Sequence, residues 1–203
     1  MPEGSIQSAP IEMIASAFLE TDMVFRLRIL VNNFARAHRL SPREERTVFL
    51  AAQGHTKDKL SSEMNCAVTT VDVYWARILK KARLLSRTAL VGSLLRRFFN
   101  GDPASVDREP MEKEWISWIG SLVDEFGTAH ALTPKERQTL TMAITTGKTN
   151  KEIASILCCS HRTIETVWAR SFLKVQAHSR SAVMGLVLFF ALENRWDDRN
   201  SRT

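Results

Sequence analysis

The chain has 203 residues, 44% of them hydrophobic, and a net charge of +6. That length holds one or two domains, and that apolar content excludes an intrinsically disordered chain. The longest greasy stretch, residues 183–192, is too short for a membrane span, and residues 1–10 lack the basic-then-apolar order of a signal peptide. Three cysteines without ligand spacing argue against a zinc site, read as small core residues of a reduced cytosolic protein, and leave no cofactor to expect.

Residues 1–10, bearing Ser, Pro and Gly, read as a loose N-terminus. Apolar residues then recur at helical spacing through Ile14, Phe18, Val24, Leu27, Leu30, Val31 and Phe34, which suits one long helix or two shorter ones over 11–38. Ser41, Pro42 and Glu44 form a capping box that opens the next helix, with Pro where no amide is needed, and Gly54 stops it. Further helices are predicted over 57–64, 69–84 and 87–98. Residues 100–111 read as a linker by composition. A helix over 112–126 follows, with Trp115, Ile116, Ile119, Leu122 and Val123 on one side. The order then returns: a box at Thr133 to Glu136, a stop at Gly147, a second box at Thr149 to Glu152, Ser160 capping a helix to about residue 176, a closing helix over 180–192, and a polar tail over 193–203. No alternating run rich in Val, Ile and Thr marks a strand, so the expected fold is all-α.

The return is a duplication. Residues 34–95 align with 126–188, with one extra residue before Gly147, at 22 identical positions. Trp75-Ala76-Arg77 recurs as Trp168-Ala169-Arg170, and Ser86-Arg87-Thr88-Ala89 as Ser179-Arg180-Ser181-Ala182. The expected organisation is therefore two tandem units, 11–99 and 112–192, each a four-helix unit preceded by an extra helix. The basic excess lies inside them: 11 Lys/Arg against 5 Asp/Glu over residues 40–98, and 8 against 3 over residues 132–191. Such a balance favours a polyanionic partner.

The second unit resembles the LuxR/FixJ/GerE-type helix-turn-helix domain of bacterial transcription regulators. The resemblance rests on Leu132-Thr133-Pro134-Lys135-Glu136, the run from Gly147 to Ala154, then Leu157, Ser160, Thr163-Ile164-Glu165, Lys174 and Ser179 to Ala182. The first unit holds the pattern at Gly54, Thr56, Thr70-Val71-Asp72, Lys81 and Ser86-Arg87, but departs from it at 57–61 and puts Ala67 where Ser160 stands. Tyr74 and Val167 replace a His common in the family's third helix. The resemblance implies a DNA-binding regulator in the bacterial cytoplasm, associated with the nucleoid, and it implies that Glu165 lies near the groove.

A helix-turn-helix sets one helix in the major groove while its neighbour braces it. In the second unit Ser160, His161, Arg162, Thr163, Thr166 and Arg170 are the expected groove-facing residues, with Lys148, Thr149, Asn150 and Lys151 at the flanking phosphates. The matching set in the first unit is Lys57, Lys59, Val68, Thr69, Thr70, Val73, Arg77 and Lys81, which promises more charge than base discrimination. Trp75 and Trp168 read as core. Lys80, Lys81, Arg83, Arg96 and Arg97 read first as a solvated face, and His38 and His130 as helix-end residues suited to the dipole. Glu44 with Arg87, and Glu136 with Arg180, are expected ion pairs.

The expected partner is double-stranded DNA, with RNA polymerase or another regulator as further candidates. The two fourth helices are expected to pack together or on the leading helices, giving a pseudo-dimer within one chain. A homodimer through 181–192 is the rival arrangement. Two other functional readings stand beside the regulator: a protein-interaction adaptor on a degenerate scaffold, and a promoter reader of the sigma-factor kind. No recurring nucleophile–base set points to an enzyme.

Overall fold

A computed structural model describes residues 11–100 and 112–195, with side chains from residue 22 onward. The expectations for residues 1–10, for most of the 100–111 linker and for the tail beyond 195 lie outside the described residues. Every element described is an α-helix. The first unit runs α1 (Ile11–Ala37), α2 (Pro42–Ala52), α3 (Lys57–Glu63), α4 (Val68–Ala82) and α5 (Arg87–Asn100). The second runs α6 (Glu112–Ala129), α7 (Pro134–Thr146), α8 (Asn150–Ile156), α9 (His161–Lys174) and α10 (Arg180–Asn194). The leading segment of the first unit is thus one helix rather than two.

Local chemistry sets the helix ends. Ser41 caps α2 reciprocally with Glu44, whose carboxylate accepts from the Ser41 N–H at 2.7 Å. Thr133 with Glu136 does the same for α7, and Thr149 with Glu152 for α8. The turns repeat as faithfully as the caps. Among the described residues, all six non-glycine positions with left-handed backbone fall into equivalent pairs: Arg39 with Ala131, Asn65 with Cys158, and Arg83 with Gln176. Cys158 sits on that turn exposed to solvent, so the core reading fails for it, while Cys66 and Cys159 pack against the core.

Each unit closes over a tryptophan and a buried carboxylate. Trp75 and Trp168 are buried, with the Arg87 and Arg180 guanidinium groups lying 5.0 and 5.1 Å from their ring centroids. Glu44 and Glu136 are 2% and 3% exposed, which forces each to find a cation. The partner is not the expected arginine. Lys81 reaches Glu44 at 2.5 Å and Lys174 reaches Glu136 at 2.7 Å. The last turn of α4 or α9 delivers its lysine to the capping end of α2 or α7, whereas the arginine opens the next helix and is held over the tryptophan. Burial pushes both carboxyls upward, but the lysine and the cap amide outweigh it and hold them below the usual carboxylate range.

The helix-end histidines also differ from expectation in the first unit. Burial, with the Arg97 charge, lowers the His38 imidazole, and its Nε2 takes a hydrogen bond from Arg97 at 3.2 Å. Arg96 and Arg97 are half-buried over Trp115 and Phe34, not on a solvated face.

The fourth helices cross between units. α5 packs on α10 and on α7, while α10 packs on α5 and on α2, so each fourth helix lies against the first helix of the other four-helix unit. Glycines set the approach, and they recur in pairs. Gly147 faces Ala89 as Gly54 faces Ala182, and a Cβ on Gly92 would strike the Ile144 carbonyl as one on Gly185 would strike the Ala52 carbonyl. The same patches therefore meet with roles exchanged, the pattern of an isologous interface. Val183, Met184, Val187, Leu188, Ala191 and Leu192 are fully buried there, and each large one contributes about 1.5–3 kcal/mol. One continuous apolar core runs through both units.

Candidate nucleic-acid interface

α9 is amphipathic in the sense a reading helix requires. Ile164, Val167, Trp168 and Ser171 face the core, leaving His161, Arg162, Glu165, Thr166 and Arg170 exposed. The Ser160 hydroxyl accepts from the Thr163 N–H at 3.0 Å and lies 2.8 Å from the Thr163 hydroxyl, so the first turn is fixed. Thr166 donates to the Arg162 carbonyl at 2.9 Å, which leaves its oxygen free to accept and its methyl free for apolar contact. Arg162 and Arg170 make no hydrogen bond or ion pair with any described residue. His161 and Glu165 lie 3.7 Å apart along the same face.

The bracing helix α8 shows a similar division. Lys151 is exposed with no partner among the described residues, and Lys148 is only loosely held, 3.9 Å from Glu152. Thr149 is spent on the cap and the Asn150 side-chain amide oxygen Oδ1 on Arg180 at 3.1 Å. Arg180 also donates to the Lys148 carbonyl at 2.6 Å, which pins the start of α8 to the start of α10. Burial lowers its guanidinium to about 10, still protonated at neutral pH. This brace was not legible in the sequence, where Arg180 looked like the mate of Glu136.

The first unit presents a different surface. Ala67 gives α4 no side-chain cap. Thr69, Val73 and Arg77 are exposed, while Val68 and Thr70 are half-buried. The three lysines expected at the duplex are already engaged. Lys57 is paired with Asp72, Lys59 with Glu63 at 3.2 Å, and Lys81 with Glu44. Asp72 holds Arg87 as well, at 2.8 Å, and Lys57 first and Arg87 second keep its carboxyl below the usual range. Arg77 alone of the expected cations here makes no ion pair among the described residues. The supply of free charge foreseen for this unit is therefore largely neutralised from within, by Asp72, Glu63 and Glu44, and Asp72 occupies the position of Glu165.

Among the described residues, no helix is long and apolar enough to cross a membrane, and no group of three or more His, Cys, Asp or Glu could hold a metal ion. Comparison with protein families matches residues 38–94 and again residues 130–187 to the family described as bacterial regulatory proteins, luxR family. No curated protein and no solved structure matches the chain.

Proposed function

The chain belongs to the luxR family of bacterial regulatory proteins, and on that premise we propose that it is a sequence-specific double-stranded DNA-binding transcription regulator whose two modules form a pseudo-dimer within one chain. One observation carries this reading. The apolar face of α10, the surface a homodimer through the fourth helices would need, is consumed against α5, α2, α1 and α6 of the same chain. A single polypeptide thus brings two modules to one duplex, and the tether gives the second an effective concentration of roughly millimolar.

α9 is the principal reader, with Arg162, Thr166 and Arg170 toward base edges and His161 and Thr163 on the first turn. Ser160 positions that turn, and Lys148, Thr149, Asn150 and Lys151 lie at the flanking phosphates, as the capped, positive end of the helix favours. α4 is the weaker reader, using Thr69, Thr70, Val68, Val73 and Arg77. Lys57, Lys59 and Lys81 would have to leave their carboxylates to reach phosphate. Such work belongs in the cytoplasm, on the nucleoid.

The test is selection of a preferred site from random duplexes by the intact chain, followed by titration of Arg162→Ala and Arg170→Ala on that site. Each loss should be about 1–3 kcal/mol and should relax preference at one position. Absence of any enriched site, with a salt-sensitive shift common to all duplexes, would leave only non-specific binding and defeat the reading.

A further inference from the structure

The joint between the units is filled differently on its two sides. On one side Leu186 and Phe189 of α10 follow Gly185, and Phe189 packs against the core. At the equivalent positions after Gly92, α5 carries Ser93 and Arg96. There a solvent-open cleft of about 250 Å³ is lined by Gly92, Ser93, Arg96, Trp115, Thr145 and Thr146, among others. Trp115 is 1% exposed, and its indole Nε1 is buried without any hydrogen-bond partner. The Arg96 guanidinium lies 5.2 Å from the centroid of the same indole and makes no hydrogen bond or ion pair with any described residue.

We propose that this cleft is a binding site for a small aromatic carboxylate. Its lining offers a guanidinium and hydroxyls beside the Trp115 ring, and includes no carboxylate of its own. Arginine matches a carboxylate with two parallel hydrogen bonds. Leu84 and Ile144 add apolar lining for a ring. A cavity of roughly 150 Å³ accepts benzene, so the volume here admits a ring with one acidic substituent. The walls come from α5 of the first unit and from α6 and α7 of the second, so an occupant bridges the joint between the units.

The experiment is a ¹H–¹⁵N titration of the intact chain with millimolar benzoate, following the assigned Trp115 indole resonance. The expected result is a saturating shift of that resonance, with benzamide and inorganic phosphate each binding about tenfold more weakly or worse. The pair Ser93→Leu with Arg96→Phe copies the filled side and should abolish the response while the thermal midpoint holds or rises. Arg96→Met, which keeps most of the stem and removes the charge, should weaken benzoate about tenfold and leave benzamide unchanged. No shift at Trp115, a shift equal for benzoate and benzamide, or an unaltered response in Arg96→Met would each overturn the proposal.

Discussion

α4 and α9 occupy the same place in two copies of one unit, yet they present opposite surfaces. α9 has a side-chain cap and two arginines with no partner among the described residues. α4 has no side-chain cap, and its acidic residue gathers two cations. Beneath these surfaces the scaffolds agree closely. The buried glutamate, its lysine, the tryptophan under an arginine and the left-handed turns all recur. The duplication has kept what folds the unit and changed what the unit shows to solvent. Electrostatics explains why the two can separate. A buried carboxylate without its lysine is costly, whereas an exposed ion pair is worth little and can be exchanged.

The largest expected effect bears on that contrast directly. Arg162→Ala with Arg170→Ala should lower affinity for the preferred duplex by about 2–5 kcal/mol, against at most about 1 kcal/mol for Arg77→Ala, measured by fluorescence anisotropy at fixed salt. Equal losses would erase the division between principal and weaker reader. Next in size is the shared scaffold. Glu44→Gln and Glu136→Gln should each cost about 2 kcal/mol in urea unfolding, discounted because each lysine is partly exposed, and the two costs should agree. Both carboxyls sit below their ordinary value when folded, so their stabilisation is present above the unfolded pKa of about 4.3 and fades as the pH falls through the folded one. Each Gln variant should therefore flatten the acid limb of the stability curve.

Smaller still is the cost at the joint. Gly92→Ala and Gly185→Ala each drive a methyl into a carbonyl of the other unit and should lower stability by about 1–3 kcal/mol in thermal unfolding, provided the crossed packing is right. The smallest effect is the one most specific to the first unit. Asp72→Ala releases Lys57 and Arg87, so affinity should rise a few-fold and the salt dependence should steepen by about one to two phosphates. An unchanged salt slope would mean that α4 and α3 lie away from the duplex.

How much of this was legible in the sequence varies with the range of the interaction. The capping boxes at Ser41, Thr133 and Thr149 and the stop at Gly147 depend on residues within one turn of one another, and they read out directly. So did burial of Trp75 and Trp168, through periodicity and repetition. The mates of Glu44 and Glu136 did not, although Lys81 and Lys174 are identical between copies. Choosing lysine over arginine depends on which helix end reaches the cap, a property of the folded path. The crossing of α5 and α10 was foreseen only as packing of the fourth helices on each other or on the leading helices. An apolar stripe says that a face is buried, not which neighbour covers it, and Gly92 and Gly185 become informative only once the opposing carbonyls are placed. For the interface, Arg162, Thr166, Arg170 and Lys151 were found as exposed residues. The engagement of Lys57 and Arg87 by Asp72 was missed because that aspartate looked like one more conserved-pattern acid beside Thr70 and Val71.

The most direct test of the pseudo-dimer is sedimentation of the intact chain, alone and with a duplex carrying its selected site. The account predicts a monomer of 23.0 kDa that binds as one chain per duplex and protects two half-sites about one helical turn apart. A dimer in the absence of DNA, or two chains on each duplex at saturation, would contradict it.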